Sequence, residues 1–326
     1  MDSTDRNFYH SFPRIRHGDN HETILKDGLK ILKSVHDIGL ILAPELVEWK
    51  QLLVDGTTRS TIVRQNRISF TELAVDEVKE HGKKFGPFSI EFSIDTLRRM
   101  GALPVIYMPR YFSDNSHFSS LASTIVGEIS DIKYTVTLLH QLSQMLNINY
   151  LKTLDSSAET ISPDAVFNLQ NGDEKEGIVQ NTAIPFKNIE GILKYIGYKN
   201  APFELMIGVL NAVQSLFYPT DSEIGETSLN YYRQREWRLI GGFALKNIPQ
   251  SRTLTPAEKV SLAKINSFFW NKELNDGKIS LKRIDEATVI NSYDDNPIKD
   301  AIAHIYVPDK AFDEARELFG DKVLKN

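Results

Sequence analysis

A segment between residues 230 and 240 carries polar side chains at a spacing that could support chemistry. Its alternating pattern predicts a strand, in which successive side chains point to opposite faces. Trp237 and Leu239 would lie on one face and suit a core. The opposite face would carry Gln234, Glu236 and Arg238 in a row. A carboxylate beside a cation on a rigid strand is a suitable platform for catalysis, although the same spacing also fits a solvated face with a weak ion pair.

Two earlier predicted strands carry polar side chains that could join this platform. Residues 7–12 form a short aromatic run, which is typical of an opening strand, and include His10. Residues 67–72 alternate between apolar and polar side chains and include Ser69. Taken singly, His10 also fits a half-buried histidine with satisfied hydrogen bonds, and Ser69 fits a solvated strand residue.

The remaining segments place these strands in a chain of mixed α and β structure. Further strands are predicted at residues 88–93, 103–108 and 304–307. Helices are predicted at residues 20–36, 114–150, 203–216 and 255–270 and after residue 309, from helical spacing and capping residues. Residues 37–60 give no clear pattern, and the polar, turn-rich residues 155–182 predict a mobile loop. We therefore expect an α+β fold, formed by one domain over residues 1–326 with a helical insertion at about 111–182.

The composition excludes several classes of protein and site. The 326 residues carry a net charge of −5 and no cysteine, which excludes disulfides, thiolate metal sites and a cysteine nucleophile. Lys and Arg are scattered, so the basic stripe of a nonspecific nucleic-acid binder is missing. No apolar stretch approaches the ~20 residues of a membrane span, and the first residues lack the pattern of a secretory signal. These features predict a cytoplasmic protein without a membrane partner.

Several standard catalytic motifs are missing from the sequence. It has no GxGxxG after a strand, no P-loop, no HExxH and no GxSxG. His17 and His21 are four residues apart, but a predicted helix start falls between them, so no metal site is expected. What remains is the ordered set of His10, Ser69 and Glu236 on successive predicted strands.

This order resembles that of the mono-ADP-ribosyltransferases. In that superfamily a His or Arg, a polar or aromatic residue on a middle strand, and a final Glu follow one another. Here His10 follows Tyr9, a Ser-Phe-Thr sequence begins at Ser69, and Gln234 precedes Glu236 by two residues. The middle strand departs from the family, which has Ser-Thr-Ser or a stacking tyrosine there. The resemblance implies a split, mostly antiparallel sheet of the ADP-ribosyltransferase kind, with NAD as the substrate.

The resemblance also implies catalytic roles for three residues. Glu236 would hydrogen-bond the ribose and stabilise the positive charge that develops on it as nicotinamide leaves. Gln234 would position the nucleophile of the acceptor. Ser69 would support Glu236 by donating a hydrogen bond to it.

Four further residues would contact NAD. His10 would hold the ribose on the adenosine side. Arg238 or Arg14 could pair with the pyrophosphate, because a guanidinium suits planar bidentate contacts. Tyr9 is among the aromatic side chains that could stack on nicotinamide, although each of these side chains also fits a core position.

Separated blocks of the chain also resemble the AbiGi-type abortive-infection proteins. These blocks are residues 8–11, 24–28, 68–73, 84–93, 104–107 and 232–238. The family is named for a phage-resistance operon and is described as an antitoxin. The resemblance therefore implies a bacterial phage-defence protein that acts as toxin or antitoxin.

Three functional hypotheses follow from these observations. The first is an NAD-dependent ADP-ribosyltransferase whose acceptor is a macromolecule, either protein or nucleic acid. The second is a catalytically inactive binding module of the same fold, such as an antitoxin that neutralises a partner toxin. The third is a structural interaction protein whose binding surface is the helix at 114–150.

Overall fold

The fold is known from a computed structural model. It describes residues 6–15, 20–52, 56–108, 118–152, 166–171, 180–185, 187–188, 203–219, 235–241, 251–275 and 280–326. The chain divides into two compact units, one of residues 1–127 and 211–326 and the other of residues 128–210. The second unit overlaps the predicted insertion but begins and ends later in the chain.

Strands and helices alternate along the described residues. The strands are β1 (Arg6–Phe12), β2 (Leu40–Leu52), β3 (Thr58–Ala74), β4 (Phe88–Phe92), β5 (Leu103–Pro104), β6 (Ile106–Met108), β7 (Val166–Asn171), β8 (Gln180–Pro185), β9 (Phe217–Pro219), β10 (Glu236–Ile240), β11 (Arg252–Thr253), β12 (Glu273–Asn275), β13 (Ser280–Lys282), β14 (Thr288–Ile290), β15 (Ser292–Tyr293), β16 (Asn296–Pro297), β17 (Ile305–Val307) and β18 (Val323–Lys325). The helices are α1 (His21–Asp37), α2 (Val78–Phe85), α3 (Ile94–Arg99), α4 (Phe118–Lys152), α5 (Phe203–Leu216), α6 (Pro256–Ile265), α7 (Ser267–Trp270), α8 (Arg283–Glu286) and α9 (Phe312–Phe319).

The first unit is built on a large, mostly antiparallel sheet. Its strand order is β11-β14-β2-β3-β1-β4-β17-β18, with β10 added to β3 and β5 added to β10. Only the pairing of β17 with β18 is parallel among the described strands of this sheet. A large antiparallel sheet with helices confirms the α+β class.

The long strand β3 pairs with three strands, which creates a split in the sheet. Residues 58–67 of β3 pair with β2 and residues 71–74 pair with β1, whereas β10 pairs with residues 67–71. Thr71 is paired with both Tyr9 and Glu236, so β1 and β10 lie on opposite edges of β3. Along the edge shared by β1 and β2, residues 68–70 have no strand beside them in the described part of the chain.

The apolar side chains of the sheet pack against α1 and α9. Phe8 and Phe88 from the sheet, Leu32 from α1 and Ala315 from α9 are all buried in one core cluster. Helix α1 approaches so closely at Gly28 that a Cβ atom there would lie 2.1 Å from the Phe88 ring. Only glycine fits at this contact without a shift of the helix or of the Phe88 ring.

Strand β2 forms where the sequence predicted no regular element. Proline usually interrupts a strand, but Pro44 lies within β2, opposite Asn66 of β3. The carbonyl of Asn66 accepts a hydrogen bond from Gly241, on the opposite edge of β3. Pro44 therefore occupies a non-hydrogen-bonded position of the β2–β3 ladder, where its missing N–H costs no bond.

The second unit is not purely helical. Helix α4 confirms the long helix predicted near 114–150. The prediction of a loop over residues 155–182 was wrong in part, because β7 and β8 pair there as an antiparallel two-stranded sheet. The alternation of apolar and polar residues in these two strands is weak, and the many turn-forming residues around them favoured the prediction of a loop.

Candidate functional site

Strand β10 places Glu236 and Arg238 on the face of the sheet opposite the apolar core. The Trp237 ring lies 5.2 Å from the Phe8 ring and Leu239 is buried in the core cluster. The predicted alternation is therefore present over residues 236–240. The backbone enters the strand through Arg235, whose φ of 42° is uncommon for a residue with a side chain.

The Glu236 carboxylate accepts hydrogen bonds from three side chains. Its Oε1 atom accepts from the Ser69 hydroxyl at 2.6 Å and from Arg238 Nε at 2.9 Å. Its Oε2 atom accepts from the Tyr107 hydroxyl at 2.5 Å. Arg67 Nη1 lies 3.6 Å from Oε1, and 13% of the Glu236 side chain stays exposed. The carboxylate is thus held firmly at the surface of the sheet.

Two guanidinium groups and a second carboxylate surround this centre. Arg67 and Arg238 lie 4.6 and 4.7 Å from the centre of the Tyr218 ring, a cation–π arrangement. Arg67 also pairs with Glu45, to which the Tyr218 hydroxyl donates at 3.4 Å. Burial alone would raise the pKa of Glu45, but Arg67 outweighs it, and the pKa lies below its ordinary value.

Arg238 is fully buried and joins β10 to the end of α5. Its Nη1 atom donates to the Ser215 carbonyl at 2.8 Å and to Gln65 Oε1 at 3.4 Å. A cation that binds the last carbonyls of a helix also complements the helix dipole. The interpretation of Arg238 as a pyrophosphate ligand is therefore corrected, because its side chain is enclosed by protein and used in bonds within it.

Ser69 connects His10 to Glu236. The Glu72 N–H donates to the Arg235 carbonyl and the Asn66 carbonyl accepts from the Gly241 N–H, so both residues direct these groups to the β10 edge of β3. Alternate residues of a strand direct their backbone groups to the same edge, so the carbonyl of Ser69 faces the other edge, at the split. His10 Nδ1 donates to this carbonyl at 2.8 Å, which assigns the proton to Nδ1. Burial lowers the pKa of His10, so its imidazole is neutral at pH 7.

His10 and Glu236 nevertheless lie on different faces of the sheet. The His10 ring is close to the rings of Phe12 and Phe70, at 5.9 and 5.8 Å, on the apolar side. Ser69 directs its hydroxyl to Glu236 while its backbone binds His10. The three residues that the sequence singled out therefore meet at one point of β3.

The other predicted site residues have different surroundings. Tyr9 is fully buried and packs edge-on against Tyr306, so its ring is not open to stacking on nicotinamide. Arg14 is exposed just beyond β1 and contributes to lowering the pKa of Glu45, so it lies within electrostatic reach of that carboxylate. Gln234 lies outside the described residues.

Sequence reasoning did not identify Tyr107, Arg67 or Tyr218 as site residues. Tyr107 belongs to β6, which pairs in parallel with β9 and so lies beside Tyr218. Burial and the neighbouring Glu236 raise the pKa of the Tyr107 phenol well above its usual range, which makes it a neutral donor. Arg67 could have been found, because alternation puts it on the same face as Ser69.

A second buried carboxylate lies on the same face of the sheet. The register aligns Glu236, Thr71, Tyr9 and Glu91 in one row across four strands, which separates the two carboxylates by roughly 15 Å. Glu91 accepts from Asn7 Nδ2 at 2.5 Å and lies 3.1 Å from His304 Nδ1. Only 3% of the residue is exposed.

Among the described residues, no helix is both long and apolar enough to cross a bilayer. Within the same residues, no three His, Asp or Glu side chains are grouped so that they could hold a metal ion. No protein-family model, curated protein or solved structure matched the chain.

Proposed function

We propose that this chain is an NAD-dependent ADP-ribosyltransferase with Glu236 as its catalytic carboxylate. The observation that carries the proposal is the hydrogen bond from the Ser69 hydroxyl to Glu236 beside the split in the sheet, with His10 bound to the same serine. Residues far apart in sequence are thereby joined in the order that resembles the transferases. The proposed fold is a split sheet of the ADP-ribosyltransferase kind.

The chemistry requires a carboxylate beside the ribose. The bond between the ribose C1′ and the nicotinamide nitrogen breaks, and its electron pair leaves with nicotinamide. The ribose gains positive charge, which a nearby carboxylate stabilises. A nucleophile of the acceptor then bonds to C1′ and loses its proton. The Glu236 side chain is 13% exposed, and its carboxylate is an acceptor that could take a hydrogen bond from a ribose hydroxyl.

Charge near the carboxylate fits a substrate that carries a pyrophosphate. Arg14 is exposed and near Glu45, and it is the guanidinium that we assign to the pyrophosphate in place of the buried Arg238. Gln234 is proposed to position the acceptor, two residues before Glu236. His10 lies on the apolar face of the sheet with Nδ1 bound to the Ser69 carbonyl, so we assign it the role of holding Ser69 in place of the predicted contact with the adenosine-side ribose.

The biological setting is proposed from the resemblance to abortive-infection proteins. The chain would act in the bacterial cytoplasm during phage infection and would modify a macromolecular acceptor, protein or nucleic acid. A toxin or antitoxin partner would restrain or release this activity. Survival of infected cells that carry wild-type or Glu236→Gln protein would show whether defence needs the carboxylate.

A second candidate is a binding module without turnover, such as an antitoxin of the same fold. The favouring observation is that Glu236 already accepts hydrogen bonds from Ser69, Tyr107 and Arg238. The protein itself therefore uses most of the hydrogen-bonding capacity of this carboxylate. Such a module would retain NAD-dependent thermal stabilisation without releasing nicotinamide.

Nicotinamide release from NAD tests the proposal. The purified chain should release nicotinamide, more strongly when cell lysate supplies an acceptor, and Glu236→Gln should lose roughly 100-fold or more. Glu236→Asp keeps the charge, but its side chain is one methylene shorter and its carboxylate lies farther from the ribose. This variant should lose most of the activity as well. Circular dichroism would confirm that each variant is folded. A folded wild-type chain that releases no nicotinamide with or without lysate would contradict the proposal.

A further inference from the structure

Tyr107 reaches the Glu236 carboxylate from a strand on the far side of β10. The backbone N–H of Val105 donates to the Glu236 carbonyl at 2.9 Å, which fixes the start of β6 beside β10. Two residues later, the Tyr107 hydroxyl donates to Glu236 Oε2 at 2.5 Å. We infer that Tyr107 is a positioning residue that orients the Glu236 carboxylate toward the ribose, an inference that rests on the proposed transferase function.

The two oxygens of Glu236 are used differently. Oε1 accepts from Ser69 and Arg238, and Arg67 lies 3.6 Å away, so its lone pairs are committed. Oε2 accepts from Tyr107, and the described residues provide no second donor to it. A carboxylate oxygen has two lone pairs, so Oε2 retains one for a hydroxyl of the substrate. The Tyr107 bond fixes the direction in which that lone pair points.

The Tyr107 ring is itself held in place. Its centre lies 6.3 Å from that of Tyr218 with the planes at 80°, an edge-to-face contact. The Tyr218 ring is fixed in turn by the guanidinium groups of Arg67 and Arg238. A donor on a rigid ring restricts the carboxylate more than a flexible side chain would.

The test compares Tyr107→Phe with Tyr218→Phe. Each variant removes one hydroxyl and keeps the ring, but the Tyr218 hydroxyl donates to Glu45 at 3.4 Å rather than to Glu236. The first readout needs no NAD: the carboxyl carbon of Glu236 is observed by NMR after labelling of glutamate, and is assigned by its loss in Glu236→Gln. We expect this resonance to shift in Tyr107→Phe and to stay near its wild-type position in Tyr218→Phe.

The second readout is the kinetics of nicotinamide release. Tyr107→Phe should lower kcat about tenfold and leave KM for NAD nearly unchanged, because a misdirected carboxylate still permits binding. An unshifted Glu236 resonance, or a raised KM with unchanged kcat, would overturn the inference. If the wild-type chain releases no nicotinamide, the proposed function fails, and the catalytic part of the inference fails with it. The resonance then decides separately whether Tyr107 orients Glu236.

Discussion

Glu236 and Glu91 lie at the two ends of one row of side chains, yet they are held by different groups. Both carboxylates project from the face of the sheet opposite the apolar core. Glu236 pairs with the guanidinium groups of Arg238 and Arg67. Glu91 pairs with an imidazole and an amide, those of His304 and Asn7. A guanidinium is always charged, whereas an imidazole carries charge only when protonated.

This difference in partners indicates different tasks. The Glu236 side chain is 13% exposed and is braced from several strands, which suits a group that must meet a ligand in a fixed orientation. Glu91 is 3% exposed and is enclosed by its partners, which suits a role in holding β1, β4 and the segment before β17 together. A carboxylate on the polar face of the sheet is therefore not sufficient evidence of a site.

Removing Arg238 should have the largest effect on stability. Arg238→Met leaves Glu236 without its nearest cation and the end of α5 without a donor, and it should reduce the free energy of unfolding by about 3–5 kcal/mol. Arg235→Met is the matched control, because Arg235 also pairs with a carboxylate, that of Glu72 at 3.3 Å, but is half exposed. It should change the free energy of unfolding by less than about 1 kcal/mol. Urea unfolding measures both, and equal effects would contradict a special role for Arg238.

Removing the charge of Glu91 should have a smaller effect. Glu91→Gln replaces a buried acceptor with an amide, and it should reduce the free energy of unfolding by about 1–3 kcal/mol. The partners of Glu91 can adjust, because Asn7 has both a donor and an acceptor and His304 is partly exposed. Glu72→Gln is the control and should cost less, because the Glu72 side chain is 22% exposed and its partners Arg6 and Arg235 are themselves partly exposed. A smaller loss in Glu91→Gln than in Glu72→Gln would refute the assigned role.

A third test uses pH and concerns His81, which reaches the same face from α2. Its Nδ1 atom lies 3.1 Å from the Ser11 hydroxyl, and its ring stacks on Phe85. Burial, with smaller contributions from His10 and Lys84, lowers the pKa of His81 from 6.5 to about 4. The unfolded chain then binds the proton first as pH falls, so stability is lost on going from about pH 6.5 to about pH 4.

Thermal unfolding across this pH range isolates the contribution of His81. The fall in Tm between pH 6.5 and about pH 4 should be smaller in His81→Gln than in the wild-type chain. Parallel Tm curves for the two proteins would show that protonation of His81 is not linked to unfolding.

Local patterns in the sequence predicted part of the fold and of the site. Alternation around Trp237 and Leu239 predicted the faces of β10, since both side chains are strongly apolar. Asn20 predicted the start of α1, and its side chain accepts from the Thr23 N–H. Each of these two features depends on residues whose local chemistry limits the choices. The hydrogen bond from Ser69 to Glu236 was expected from the resemblance to the transferases rather than from a local pattern.

Other features depend on which strands become neighbours, which local patterns do not contain. Tyr107 meets Glu236 only because β5 pairs with β10, and Tyr218 joins them only because β9 pairs with β6. The burial of Arg238 follows from the position of the end of α5. Residues in a short apolar run such as that around Tyr107 are ordinarily interpreted as core. Tyr107 was therefore not predicted as a site residue.

The most direct test of the central claim is to measure nicotinamide release by Glu236→Gln and Glu91→Gln side by side, each at a temperature where it is folded. Both variants remove one negative charge from the same face of the same sheet. We expect Glu236→Gln to lose roughly 100-fold or more and Glu91→Gln to remain within a few-fold of the wild-type rate. Equal losses in the two variants, or full activity in Glu236→Gln, would show that Glu236 is not the catalytic carboxylate.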